Sequence, residues 1–424
     1  MLLITDPEVR QVLKMRECIE AMERAFAEEA RGIAVNRPRT RYKVPPDLDK
    51  PGYMANIIPG AVPSSGVAAL RYDSTIVQGR VVAGTKRMDF PSPLKRSWGF
   101  VLLFSLETGE PLALIHDFSL SAIRVGATTG VAHGALSKKN SKVVGLFGSG
   151  NEARRNLEAI CCVRGIESVK VYSSTREHRE RFAEEMTELL DVEVQPVRGP
   201  EAVIKGSDIV MCATNSSQPV FDGHWLEPGQ FVTTIVNTDG VHRRTEADAA
   251  TMICSDFIVL NNKETAITNQ QRELLDLIDQ GKFNWEKVCE LGQVLIAKHP
   301  GRTSDQQIIY YKSNTGVGIQ FAAAGALIYE ACKKARFGPR VADRMVWRGF
   351  ERMDGQGLHA VAITRVFFPR LETFWKASIC DRWSSTYLES HQSDSFGRGN
   401  VSRKHFGYYE QDNEGLTYGA FLSF

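Results

Sequence analysis

The residues best suited to chemistry are a six-residue run, one arginine and one aspartate. Gly148-Ser149-Gly150-Asn151-Glu152-Ala153 has the spacing G-x-G-x-x-A. In that pattern the first glycine makes a tight turn and the second lets the backbone approach a pyrophosphate. The small third residue lets helix and strand pack closely. A helix that begins there also aims unpaired N–H groups at phosphate oxygens. Gly148, Ser149, Gly150, Asn151, Glu152 and Ala153 are therefore candidate cofactor contacts. Arg124 is followed by Gly126, Ala127, Thr128, Thr129 and Gly130, small residues that allow close approach of a ligand. Thr129 is a further cofactor candidate, and an Arg124 paired to a structural carboxylate is the plain alternative. Asp239 is the carboxylate best placed for proton transfer, unless it caps a turn.

These residues need a scaffold, and the pattern around them supplies one. Val143, Val144, Leu146 and Phe147 read as a buried strand before the glycine turn. Ala153, Leu157, Ala159 and Ile160 follow at helical spacing. A second strand, 169–173, ends in Ser173-Ser174-Thr175-Arg176, with no acid before Glu177. Folds that prefer NAD place an acid there for the ribose hydroxyl. Hydroxyls plus a guanidinium suit a 2′-phosphate, so NADP(H) is favoured over NAD(H). Capping of a helix over 175–190 is the alternative use of the same residues. Further strands over 192–197, 208–213, 231–236 and 257–260 end in Thr214-Asn215, Asn237 and Asn261-Asn262. Ala213, Thr214 and Asn237 thus join the cofactor candidates, because ligands bind at the carboxyl ends of a doubly wound parallel sheet.

Before this unit, Thr5-Asp6-Pro7-Glu8 resembles a capping box opening a helix to about Glu29. The basic run Arg37–Lys43 precedes strand-like segments, and 100–106 with 112–117 reads as a hairpin. Residues 35–117 are expected to form a mostly antiparallel sheet, followed by a helix from Ser119. Later come helices at about 268–280 and 284–298, a strand over 307–313 and an Ala-rich helix to about Lys334. From Arg336 on, aromatic and charged residues mix without clear spacing.

Composition narrows the class. The net charge of +2 over 424 residues, without a long basic block, implies neither nucleic acid nor an anionic membrane as partner. None of the eight cysteines forms a C-x-x-C pair. Buried reduced thiols are expected and no metal site is. The N-terminus carries no signal-peptide pattern, and the longest apolar stretch, 321–328, is far short of a membrane span. A soluble cytoplasmic protein is the expectation.

The order of features resembles the ornithine cyclodeaminase/mu-crystallin family over roughly residues 2–335. The resemblance rests on Met15–Glu23, Leu120-Ser121-Ala122-Ile123-Arg124, the glycine turn, Ser207–Val210 with Ala213-Thr214, and Tyr311–Gly316. It implies a dinucleotide-binding (Rossmann) domain, 126–306, inserted into an α+β substrate and dimerisation domain. The latter would comprise 1–125 completed by 307–335, leaving 336–424 as an atypical tail. It further implies a homodimer, and a substrate carboxylate held by Arg39 and Arg124. The family lysine after Gly66-Val67 is replaced by Ala68, so Arg71 or Lys86 would have to supply a cation. The family's acid/base aspartate matches Asp239, one residue out of register. The implied activity is NAD(P)-dependent oxidoreduction at the C–N bond of a small amino or imino acid, with an imine reductase first. A redox-neutral cyclodeaminase and a non-catalytic NADP(H)-binding protein are the alternatives.

Overall fold

Two eight-stranded sheets organise the chain, one largely antiparallel and one wholly parallel. The computed structural model describes residues 1–47, 49–82, 85–89, 98–237, 244–314, 317–339, 406–411 and 417–422, with 80–89 and the last two stretches as backbone.

The chain opens with β1 (Leu2–Ile4), and Thr5 then donates both its N–H and its hydroxyl to Glu8 at 2.7 Å. This box starts α1 (Asp6–Val12), and α2 (Met15–Ala30) follows as a separate helix. The single helix expected to about Glu29 is broken because Leu13 adopts an extended conformation and buries itself in the core. Next come β2 (Val35–Asn36), β3 (Thr40–Val44), β4 (Gly52–Val62), β5 (Val67–Val82), β6 (Thr85–Asp89), β7 (Trp98–Ser105) and β8 (Pro111–His116). Their order is β1-β8-β7-β5-β4-β2, with β3 on β4 and β6 on β5. Residues alternate across this sheet. Ile58, Val67, Ala69, Val101, Leu103 and Ile115 face a core shared with α2, α3 (Asp117–Leu136) and α11 (Gly318–Ala335).

The parallel sheet begins with β9 (Val143–Phe147), followed by α4 (Asn151–Val163) after the glycine turn. It continues through β10 (Ser168–Tyr172), α5 (Arg176–Leu190), β11 (Glu193–Pro196), α6 (Pro200–Ile204), β12 (Ile209–Cys212) and β13 (Phe231–Thr234). Then come α7 (Ala249–Cys254), β14 (Phe257–Leu260), α8 (Lys263–Thr268), α9 (Arg272–Asp279), β15 (Val288–Glu290), α10 (Leu291–Leu295) and β16 (Ile309–Lys312). The order β11-β10-β9-β12-β13-β16-β14-β15 is doubly wound, and β12, β13, β14 and β16 are buried at every residue.

Three expectations change here. The helix expected at 268–280 begins only at Arg272, after a break around Gln270, whose φ is 52°, that separates it from α8. The helix at 284–298 is a 3-10 turn, the strand β15 and the short α10, because Val288–Glu290 completes the sheet edge against β14. The segment from 307 does not return to the first domain at once. β16 pairs with both β13 and β14, so only α11 rejoins the antiparallel sheet.

Glycine sets how tightly α11 rejoins it. A Cβ on Gly318 would lie 2.0 Å from Pro59 O, and one on Gly60 would lie 2.4 Å from Gly318 C. The start of α11 therefore rests directly on β4. A Cβ on Gly126 would meet Arg155 O at 2.5 Å, so α3 lies equally close against α4.

The C-terminal residues 347–424 form a second unit, in which Phe406–Gln411 pairs antiparallel with Thr417–Leu422. No helix among the described residues is long and apolar enough to cross a membrane.

Candidate active site

The glycine turn has the geometry its spacing predicts. Gly148 has φ +109°, its N–H donates to Tyr172 O at 2.8 Å, and a Cβ there would lie 2.2 Å from Ala213 O. Only glycine fits. Gly150 is the N-cap of α4, and a Cβ on it would meet no protein atom within 4 Å. The N-terminus of α4 thus opens onto space, as a cradle for a diphosphate requires. Ser149 Oγ donates to Ser173 Oγ at 3.1 Å and ties the turn to the end of β10. Ala153 is fully buried under the turn, whereas Asn151 is exposed at its rim.

The buried orphan atoms around this cradle also suit a dinucleotide. Thr129 Oγ1, Glu152 Oε2 and Asn237 Oδ1 are buried without a hydrogen-bond partner. They belong to α3, the turn and the end of β13, the elements that a bound dinucleotide would touch. Burial pushes the Glu152 carboxyl up to about 7, against the opposing pull of Arg124 and Arg155. At the end of β10, Ser174 and Thr175 are exposed and Arg176 Nε donates to Glu180 at 2.6 Å. Arg179, which the sequence reading passed over, donates to Ser173 O at 2.9 Å and stands over the Tyr172 ring.

A buried carboxylate fixes the neighbouring strand ends. Glu246 accepts from Thr214 N at 2.5 Å and from Thr214 Oγ1 at 2.8 Å. Its other oxygen accepts from Ile235 N at 2.9 Å and Val236 N at 3.2 Å. Burial holds this carboxyl above the usual range even though those donors pull it down. Lys312, also buried, pairs with Glu273 and donates to Val236 O at 3.3 Å. Both residues therefore set the backbone that leads into Asn237. Asp239 lies outside the described residues.

The candidate substrate residues lie on the antiparallel sheet and the helices packed against it. Arg124 is 6% exposed on α3, where Nη1 donates to Gln320 Oε1 at 2.6 Å. Gln320 Nε2 donates to Thr128 Oγ1 at 2.7 Å, and Nε of Arg124 has no partner. Arg71, on β5, donates through Nε to Asp117 Oδ2 at 2.7 Å and pairs with Asp73. Both guanidinium groups stand over the Phe321 ring, at 5.1 Å for Arg71 and 4.6 Å for Arg124. Burial and the nearby Arg71 push Arg124 down to about 10, so it stays charged at neutral pH. Arg71 has two carboxylate partners, which outweigh its burial and hold its charge firmly.

The remaining candidates divide by position. Arg39 sits between β2 and β3, and Lys86 lies on β6 opposite Val81. Ala68 pairs with Ala61 and Phe104, on the opposite face from Val67 and Ala69, which enter the core. A lysine at 68 would project away from Arg124. Arg71 shares the face of Ala69 and stands over Phe321. Asp117, Gln320 and Phe321 were missed because a helix-start aspartate, a glutamine and a phenylalanine carry no catalytic spacing.

A glycine turn of dinucleotide-binding geometry and two arginines stacked on one phenylalanine make up the candidate site. The ornithine cyclodeaminase/mu-crystallin family model matches residues 1–336, and the chain belongs to that family. It is 27% identical over 344 residues to a Delta(1)-pyrroline-2-carboxylate reductase of Bacillus cereus, covering 80% of this chain and 99% of that protein. The Thermococcus litoralis enzyme of the same name, solved with NADH and L-proline, superposes with a TM-score of 0.71 at 28% identity. That match covers 80% of this chain and all of the other. An archaeal alanine dehydrogenase dimer with bound NAD gives 0.69 at 26%, over 81% and 99% of the two chains.

Proposed function

We propose that this protein is an NAD(P)-dependent oxidoreductase acting on the C–N bond of a small α-amino or imino acid, with reduction of a cyclic or N-substituted imine as its reaction. The observation that carries this reading is the charged Arg124, locked by Gln320 and stacked on Phe321 beside the helix that starts at the glycine turn. When bound, the nicotinamide dinucleotide supplies or accepts the hydride.

The protein's own residues bind and orient. Arg124 takes the α-carboxylate, and an anion there relieves the burial cost that lowers its basicity. Arg71 is paired with Asp117 and Asp73, so it stays protonated, holds Phe321 in place and does not exchange protons. Arg39 is a second carboxylate contact, and Asp239 is the acid/base group for the nitrogen. Glu246 and Lys312 keep the strand ends in place, which holds the reacting carbon within reach of the hydride. Ser173, Ser174, Thr175 and Arg176 favour NADP(H) over NAD(H), since β10 ends without a carboxylate.

The outer face of the antiparallel sheet exposes Ile76, Trp98 and Phe100, which fits burial against a second copy of the chain. We assign the protein as a homodimer on that basis, in the cytoplasm, where the free thiols of its described cysteines would stay reduced.

Purified protein incubated with NADPH and cyclic imino acids such as Δ1-pyrroline-2-carboxylate should consume NADPH and yield the amino acid. Ammonia from ornithine with no net cofactor change would assign the cyclodeaminase reaction instead. Cofactor binding without either product would refute turnover.

A further inference from the structure

Three charged side chains lie beneath the carboxyl ends of the central strands of the parallel sheet. Glu246 is 1% exposed, and the side chains of Lys312 and Glu273 are 2% and 7% exposed. Glu273 enters from the first turn of α9, and Lys312 is the last residue of β16. Leu274 and Leu277 of α9 share one apolar cluster with Tyr310 of β16, so the ion pair of Lys312 and Glu273 has little water around it.

Such a pair is a poor source of stability. Taking both charges out of water costs about as much as their attraction returns, and apolar residues of similar volume often do as well or better. What the pair does hold is a strand end. Lys312 Nζ donates to Val236 O at 3.3 Å, while Glu246 accepts from Val236 N at 3.2 Å. Val236 is thus gripped at both of its peptide groups, by a cation at one and a carboxylate at the other. The second Glu246 oxygen accepts from Thr214, so the ends of β12, β13 and β16 are tied together.

These three strands lie on one side of the glycine turn. In a doubly wound sheet the turn after the first strand takes the diphosphate, and the end of the second takes the adenosine ribose. Here those strands are β9 and β10. On the other side of β9 come β12, β13 and β16, whose ends are left for the nicotinamide half. A small misplacement there costs rate steeply, while the diphosphate stays bound at the turn.

We propose that Glu273 is a positioning residue for the nicotinamide end of the cofactor, a role that rests on the site being one for hydride transfer. Glu273 holds the Lys312 ammonium under β13, and with Glu246 the ammonium fixes the peptide groups of Val236 that lead into Asn237. The buried pair sets placement and adds no stability.

The variant that separates placement from stability is Lys312→Met/Glu273→Leu, which removes both charges and keeps the volume. Its Tm should lie within about 5 °C of wild type, whereas Lys312→Met alone, which leaves Glu273 buried and unpaired, should melt well below both. In the double variant kcat with a cyclic imino acid should fall about tenfold or more, with KM and the NADPH Kd within about twofold of wild type. The nicotinamide fluorescence of bound NADPH, read without any imine, should move toward that of the free cofactor. Wild-type kcat with wild-type nicotinamide emission in the double variant would overturn the proposal. So would a loss of NADPH affinity as large as the loss of kcat, or a double variant that does not fold, since the pair would then be structural. Wild-type protein that binds NADPH yet reduces no imine would refute the reductase, and the nicotinamide emission of the double variant would still decide the role of Glu273.

Discussion

The cofactor cradle and the substrate end are assembled in opposite ways. The cradle is local in sequence: strand, turn and helix run continuously from Val143 to Val163, and six adjacent residues make the turn. The substrate end is non-local. Arg71 comes from a strand, Asp117 and Arg124 from α3, and Gln320 and Phe321 from a helix some two hundred residues later. A local device depends on backbone conformation, so a single Cβ can ruin it. A non-local one depends on packing and charge, so its failures show in substrate affinity before they show in the fold.

The sharpest way to break that contrast uses two glycines two positions apart. Gly148→Ala forces a side chain into a φ of +109° and against Ala213 O at 2.2 Å. Overpacking of ~1–3 kcal/mol and backbone strain of ~1–3 kcal/mol should together lower Tm strongly. Gly150→Ala meets no protein atom and has φ −88°, which any residue adopts, so Tm should hold. Its methyl should instead intrude on the diphosphate and weaken NADPH binding about tenfold or more. Thermal melts and cofactor titrations on both variants check this, and a stable Gly148→Ala would deny that the turn is sterically fixed.

Arg124→Ala tests the other region. Removing one charged hydrogen-bond partner costs ~1.5–3 kcal/mol, which is roughly ten- to a hundredfold in kcat/KM. NADPH affinity should change little, since the cradle is built elsewhere. Steady-state kinetics with an imino acid reads this directly, and unchanged KM would remove Arg124 from carboxylate binding.

The same contrast explains what could be read from the chain alone. The strand–turn–helix was legible because its glycine spacing and its hydrophobic period lie within about twenty residues. Arg124 was legible through the small residues that follow it. Asp117, Gln320 and Phe321 were not, since their role exists only once α11 lands on β4 through Gly60 and Gly318. Glu246 was equally silent: it clasps two strand ends, Thr214 and Ile235–Val236, that are remote in sequence. The misplaced strand 307–313 has the same origin, for no local pattern tells which sheet will take an apolar run. Position 68 shows how parity decides: one residue's shift along β5 turns a side chain to the other face.

Glu152 links the two regions and gives a pH signature. It lies in the first turn of α4 and faces Arg124 and Arg155, with a carboxyl raised to about 7. Below that pH it is neutral; above it, its charge opposes the cofactor's diphosphate. NADPH affinity should therefore fall as pH rises through about 7, by roughly 1 kcal/mol. Stability should follow the same sign. The folded pKa lies above the ordinary 4.5, so the folded state holds the extra proton between about 4.5 and 7 and loses stability as pH rises across that window. Glu152→Gln should flatten both profiles. Calorimetric titrations and melts from pH 5.5 to 8.5 measure them, and an unchanged slope in the variant would reassign the effect.

The smallest expected effect concerns cofactor choice. Arg176 is exposed at the start of α5 and shares its charge with Glu180. Water screens it, so its hold on a 2′-phosphate is weak compared with a buried contact. Arg176→Ala should weaken NADPH about two- to fivefold and leave NADH unchanged. The loss should shrink as salt is raised, because counterions already compete for an exposed guanidinium. Arg179 stands on the Tyr172 ring within reach of the same strand end, so the double variant should lose more NADPH affinity than either single change. Equal losses for NADPH and NADH would place these arginines in the fold of α5 and return the preference to NAD(H).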